Sequence, residues 1–158
     1  MSLRRAAARA DSIAREGSDP NTRTIARYAA ASAAAYEALA RADTAAALER
    51  LQALPDGVCP ACYLDPFTLA QLLAERRQDR EAWRILRAEH AWATLDPVGS
   101  EVLWALLRGR VGERLGERER ALRAYAWVAG MWRNADPALK PYVREAHEGL
   151  ARLISEKR

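Results

Sequence analysis

The sequence predicts an all-α fold of antiparallel helical hairpins, about seven or eight helices stacked as a short right-handed solenoid. Three observations lead there. Alanine is far above its usual share and β-branched residues are sparse, which favours helices because alanine loses no side-chain entropy on becoming helical. Aspartate and proline punctuate the chain at intervals suited to helix starts. A pattern of small and large apolar residues recurs in steps of 35 and 39 residues.

The 158 residues fit one domain with a sizeable core, so 1–158 is expected to be a single helical-repeat domain. Four Asp-Pro pairs organise it: Asp19-Pro20, Asp65-Pro66, Asp96-Pro97 and Asp136-Pro137. An aspartate carboxylate accepts the orphan amides of a first helical turn, and proline suits the first helical position, where its missing N–H is not needed. Softer starts lie at Asp43-Thr44, Asp79 and Glu117, the last two after arginine-rich helix ends. An N-terminal helix within 1–18, at about 3–16, is expected first. Hairpins at 21–54, 66–91 and 97–133 follow, built from helices at about 20–42, 44–54, 66–77, 79–91, 97–115 and 117–133. A capping helix at 137–156 closes the chain. Helical spacing supports these elements: Ala121, Leu122, Tyr125, Val128, Ala129 and Trp132 share one face. Leu139, Tyr142, Val143, Ala146, Leu150 and Leu153 do the same in the last helix. No strict two-residue alternation suggests a strand.

Aligning the hairpins on their second helices exposes the repeat. Ala47, Ala82 and Ala121 occupy one register position. Twelve residues earlier stand Ala35, Ala70 and Gly109, and four residues later Leu51, Leu86 and Tyr125. Two antiparallel helices approach closely only where small residues face each other, and the larger residue one turn on then fills the space toward the next hairpin. Gly116 fits the turn inside the third unit.

Over about residues 21–156 this arrangement resembles the tetratricopeptide family, whose unit is a helix–turn–helix of about 34 residues. The family's small, Gly, Ala, aromatic and Pro positions are matched by Gly109, Gly116, Ala121, Tyr125 and Pro137. Its early Trp position is not met, and its first-helix Tyr position holds Ala38, Leu73 or Gly112. The stretch also resembles, by layout, C-terminal repeat regions of larger bacterial multi-domain signalling proteins, including repeat-bearing Ser/Thr kinases. The resemblance implies binding of a protein or peptide in a concave groove lined by the first helices. By family position Tyr36, Gln71 and Arg110 face that groove, with Arg114 on the same helix as Arg110. The final helix resembles the solvating helix that ends such arrays, with Arg144, Glu145, Glu148, Arg152 and Glu156 on its outer side.

The net charge of +4 comes almost wholly from arginine, since Lys140 and Lys157 are the only lysines. A basic balance raises the odds of an acidic partner. Here the arginines are interleaved with glutamates, so a solvated surface is expected and nucleic acid is not the expected partner. No stretch approaches the roughly 20 apolar residues of a membrane span, and the basic start lacks the apolar core of a secretory signal. A cytoplasmic location is expected, with an extracytoplasmic one if the chain belongs to a larger anchored or secreted protein.

Cys59 and Cys62, in Cys-Pro-Ala-Cys, have the spacing of a redox dithiol or half a zinc site. A redox site needs a βαβ setting, and zinc needs two more ligands, for which only His90 and His147 are present, without metal spacing. A structural loop, with free thiols or a local disulfide between Cys59 and Cys62, is the expectation. His90 shares an apolar face with Leu86 and reads as a packed histidine, while His147 reads as exposed. The five tryptophans, Trp83, Trp92, Trp104, Trp127 and Trp132, read mainly as core. No nucleophile–base arrangement or phosphate loop stands out, so no enzyme activity, cofactor or metal is expected. The expected function is a protein–protein interaction module. The alternatives are an accessory subunit of a larger assembly, such as a membrane complex, and a redox or metal protein acting through Cys59 and Cys62.

Overall fold

The computed structural model describes residues 3–55, 58, 63–88 and 100–155. These form eight α-helices: α1 (Leu3–Glu16), α2 (Pro20–Ala40), α3 (Thr44–Gln52), α4 (Leu64–Glu75), α5 (Asp79–Arg87), α6 (Ser100–Arg114), α7 (Arg118–Met131) and α8 (Lys140–Ser155). The helices group into two compact units, Met1–Leu72 and Leu73–Arg158, whose boundary falls within α4.

In the first unit α1 packs on α2 and α2 on α3. Asp19 caps α2 as its sequence suggests: the carboxylate accepts the Thr22 amide at 2.6 Å, and Pro20 takes the first turn. Asp43 does the same for α3 through the Ala46 amide at 3.0 Å. The α2–α3 hairpin is antiparallel and buries Ala35 and Ala47 completely, with Leu51 beside them. Arg50 reaches back across it to donate to the Ala34 carbonyl at 2.7 Å.

In the second unit each helix packs on its successor from α5 to α8, and α8 also packs on α6. Ala82 and Ala121 are fully buried, as is Leu86. Leu86 also lends its carbonyl, near the C-terminal end of α5, to the Arg108 guanidinium at 2.9 Å. Arg118 likewise holds the Leu153 carbonyl near the end of α8 at 2.6 Å. Such contacts supply donors to carbonyls that a helix end leaves unpaired.

Tyr125 fills the repeat place that Leu51 and Leu86 fill elsewhere, and it is larger. Its ring lies between Gly109 of α6 and Gly149 of α8. A Cβ at Gly109 would come within 2.6 Å of the ring, and one at Gly149 within 2.5 Å. Both neighbouring helices therefore need glycine where the ring crosses. Around it Val102, Leu106, Val128, Ala146 and Leu153 complete the core. Trp132 and Tyr142 close the α7–α8 corner with ring centroids 5.9 Å apart in a tilted pair.

One backbone device ends α2, α4 and α6 alike. The second residue after each helix end takes the left-handed conformation: Ala42 at φ 60°, Arg77 at φ 60° and Gly116 at φ 75°. The next amide returns to a carbonyl five residues back: Asp43 to Ala38 at 2.9 Å, Gln78 to Leu73 at 2.9 Å and Glu117 to Gly112 at 2.8 Å. This is the six-to-one bond of a Schellman ending. Its recurrence at steps of 35 and 39 residues makes the repeat structural as well as sequential.

Several expected boundaries shift. Asp65 does not precede its helix. It lies in the first turn of α4, which begins at Leu64, and it is buried among side-chain partners. The last helix begins at Lys140 rather than 137, because residues 137–139 form a turn in which Leu139 donates to the Asp136 carbonyl. Asp79 begins α5 with Gln78 as its cap, and neither Gln78 nor Glu117 makes a side-chain cap bond. Helix α5 ends at Arg87, short of the expected 91. Asp96-Pro97 lies outside the described residues.

The three turns invite opposite substitutions at equivalent places. A non-glycine residue in this conformation costs about 1–2 kcal/mol, more than glycine's loss of chain entropy. Ala42→Gly and Arg77→Gly are each expected to stabilise by about 0.5–1 kcal/mol, and Gly116→Ala to destabilise by about 1 kcal/mol. Urea denaturation of the three variants checks the signs.

Candidate functional site

Two sets of polar side chains stand on the first helices of the hairpins, one set in each unit. In the first unit Tyr28, Ser32 and Tyr36 form a row along α2, each one turn from the next. The Tyr28 hydroxyl donates to Asp65 Oδ2 at 2.8 Å, and the Ser32 hydroxyl to Asp65 Oδ1 at 2.9 Å. The Tyr36 and Thr68 hydroxyls lie 3.2 Å apart. A buried carboxylate is costly unless its lone pairs are met, and both oxygens of Asp65 are. Burial, and then the Asp65 carboxylate, push the Tyr28 phenol upward, so it stays a donor. Burial likewise pushes Tyr36 up to about 12.

In the second unit Arg110, Glu113 and Arg114 occupy neighbouring places on α6, and each makes a two-pronged ion pair. Arg110 pairs with Glu145 of α8 through Nε–Oε1 and through Nη2–Oε2, the latter at 2.6 Å. Arg114 pairs with Asp79 of α5 at 2.8 and 2.6 Å. Glu113 accepts both prongs of Arg152 of α8 at 2.7 and 3.0 Å. It also accepts the Tyr125 hydroxyl at 2.8 Å. Planar forks of this kind are the strongest of ordinary charge-assisted bonds. The bond from Arg152 holds the Glu113 carboxyl below its usual range, with help from Tyr125 and against burial. Burial, then Glu113, pushes the Tyr125 phenol upward. The bonds from Glu145 and Asp79 outweigh burial and raise Arg110 and Arg114.

The four residues singled out by resemblance therefore fall two in each unit. Tyr36 is half-buried and bonded to Thr68, and Gln71 is exposed on α4. Arg110 and Arg114 share α6, each already holding a carboxylate of its own chain. A partner's carboxylate would have to share or displace Glu145 and Asp79. Glu145 and Arg152, expected on the solvated side of the capping helix, instead bond back to α6. Nothing in the local sequence marks Asp65, Asp79 and Glu113 as partners for these groups. A signal for some of them was present in the sequence. Arg110–Glu145 and Asp79–Arg114 are separated by 35 residues and Glu113–Arg152 by 39, the repeat steps themselves, with opposite charges at the two ends.

Of the tryptophans, Trp83 and Trp104 are buried, Trp132 packs against the core and Trp127 is 38% exposed. Trp92, His90, Cys59 and Cys62 lie outside the described residues. His147 is exposed. Among the described residues no helix is long and apolar enough to cross a membrane, and no group of three metal-ligating side chains gathers. No family model, curated protein or solved structure matches the chain.

Glu113 gives a pH signature. Its carboxyl is depressed in the fold, so the stability it adds is complete above the unfolded value and lost as pH falls through the folded one. Glu113→Gln is therefore expected to be less stable than the parent at neutral pH, with the gap closing below about pH 4. Urea titrations from neutral to acid pH read this; a gap that stays constant contradicts it.

Proposed function

We propose that the chain is a tetratricopeptide-type interaction module that binds a peptide or partner domain, with candidate contacts on α2 and α4 in the first unit and on α6 in the second. The observation that carries this reading is the repeated hairpin ending, which sets the helix before each of these turns in one register. Tyr36, Gln71 and Arg110 each stand six residues before the left-handed residue of their turn, and this shared register supports reading them as one repeat position used in binding. The rigid forks on α6 favour recognition of a polar, hydrogen-bonding segment, because guanidinium groups already held in place lose little freedom on binding.

The test is capture of the tagged chain from its native lysate, followed by affinity measurement with the purified partner. Gln71→Ala, Arg110→Ala and Arg114→Ala are each expected to weaken binding by about tenfold, near 1.4 kcal/mol. The melting temperature guards against misfolding, most of all for Arg110→Ala, which leaves Glu145 unpaired. A partner bound equally well by all three folded variants sinks the first-helix assignment.

A second reading has its own observation. Trp127 and Met131, one turn apart on α7, are both exposed, and aromatic and methionine side chains are the ones enriched in protein interfaces. They favour an accessory subunit held permanently on its second-helix side. A monodisperse monomer, insensitive to concentration and with Trp127→Ala indistinguishable from the parent in assembly, counts against that role.

A further inference from the structure

The first unit holds an open cleft of about 490 Å³ between α1 and α2, lined by Asp11, Ala14, Arg15, Arg23 and Arg27. Asp11, Ala14 and Arg15 lie on one stripe of α1, three and four residues apart, and Arg23 and Arg27 lie one turn apart on α2. Ala14 is buried and forms the floor. Arg23 is fixed: its Nη1 donates to the Gly17 carbonyl at 3.0 Å, and its stem lies against Gly17, where even a methyl group would meet the Ile13 carbonyl at 2.7 Å. That bond leaves the Nε and Nη2 edge of the guanidinium unused. Arg15 and Arg27 have no hydrogen-bond or ion-pair partner among the described residues. This contrasts with Arg4, Arg110, Arg114 and Arg152, each held by a carboxylate of the chain. Arg23 also feels the Asp19 carboxylate, so three guanidinium groups stand against Asp11 and Asp19, and the positive excess rests on Arg15 and Arg27.

We infer that this cleft binds an acidic peptide segment, whose carboxylates take the forks of Arg15, Arg23 and Arg27. Guanidinium forks match carboxylate oxygens in pairs. Asp11 offers an acceptor to a peptide N–H, a donor that a phosphodiester backbone lacks. A single-stranded nucleic acid needs stacking faces as well as charge, and no aromatic side chain lines the cleft. The site is distinct from the first-helix residues above and does not depend on them.

The experiment uses the full chain and a fluorescein-labelled hexaglutamate peptide, read by anisotropy at low salt. Arg15→Ala/Arg27→Ala is expected to weaken binding by at least about tenfold, from the loss of two charge-assisted contacts. Arg87→Ala/Arg123→Ala removes the same charge from exposed positions elsewhere and is expected to change binding less than about twofold. Equal losses in the two double variants overturn the proposal, because they report net charge alone. So does the absence of peptide binding by the parent chain. Inorganic phosphate that shifts the guanidinium NMR signals of Arg15 and Arg27 while the peptide does not makes this a small-anion site and overturns the peptide. An oligothymidylate of equal charge that binds more tightly, and is lost in the same variant, overturns it as well.

Discussion

Each hairpin depends on a reversal made in very few residues, and one backbone conformation makes it possible. Here the second residue past the helix end turns left-handed, so that the next amide can reach a carbonyl five residues behind. Ala42, Arg77 and Gly116 take that conformation, and only one of them is glycine. The two others hold a backbone that L-residues disfavour, which shows that the packing on either side outweighs the local cost. Once the turn is set, the position four residues into the next helix is fixed opposite the first. That position is Ala47 in the α2–α3 hairpin and Ala121 in the α6–α7 hairpin, both fully buried. Small residues follow from the turn, because only they let the two backbones close.

A second constraint operates in Leu73–Arg158, where Tyr125 replaces the leucine of the other repeats. Its ring needs a glycine on each side, and its hydroxyl needs an acceptor at the rim of the core. Gly109, Gly149 and Glu113 meet these needs from α6 and α8. Glu113 is then drawn into pairing with Arg152, and the charged groups around it organise as forks. One large aromatic residue thus links apolar packing to the polar surface of the same unit. In Met1–Leu72 the analogous link is Asp65, a buried carboxylate that draws Tyr28 and Ser32 onto it.

Most of the chain's arginines with a defined role act on the chain itself. Arg50, Arg108 and Arg118 reach helix carbonyls, and Arg4, Arg41, Arg110, Arg114 and Arg152 meet carboxylates. Seven arginines thus tie one helix to another, and Arg41 pairs with Glu37 of α2. Part of the remaining positive charge lies in the α1–α2 cleft, on Arg15 and Arg27, and part on exposed arginines such as Arg87, Arg123 and Arg144.

The sequence by itself determined the helices, the turns between them and the small-residue register, because these rest on short-range rules. An Asp-Pro start, a helical period and a repeat of alanines are local patterns that tertiary packing leaves in place, as Asp19, Ala47 and Ala82 show. The same rules misread Asp65. By its neighbour Pro66 it is a cap, yet α2 offers it two hydroxyl groups that no local pattern reveals. They also misjudged α8, where Pro137 opens a turn and the helix proper waits until Lys140. Only the tertiary structure decided which charges are internal. By family position Arg110 faces a groove, with Arg114 on the same helix, and a carboxylate one repeat away meets each of them. Pairing across 35 residues depends on how one helix lies against another, and a chain read from end to end holds that information only as a spacing whose meaning the fold supplies.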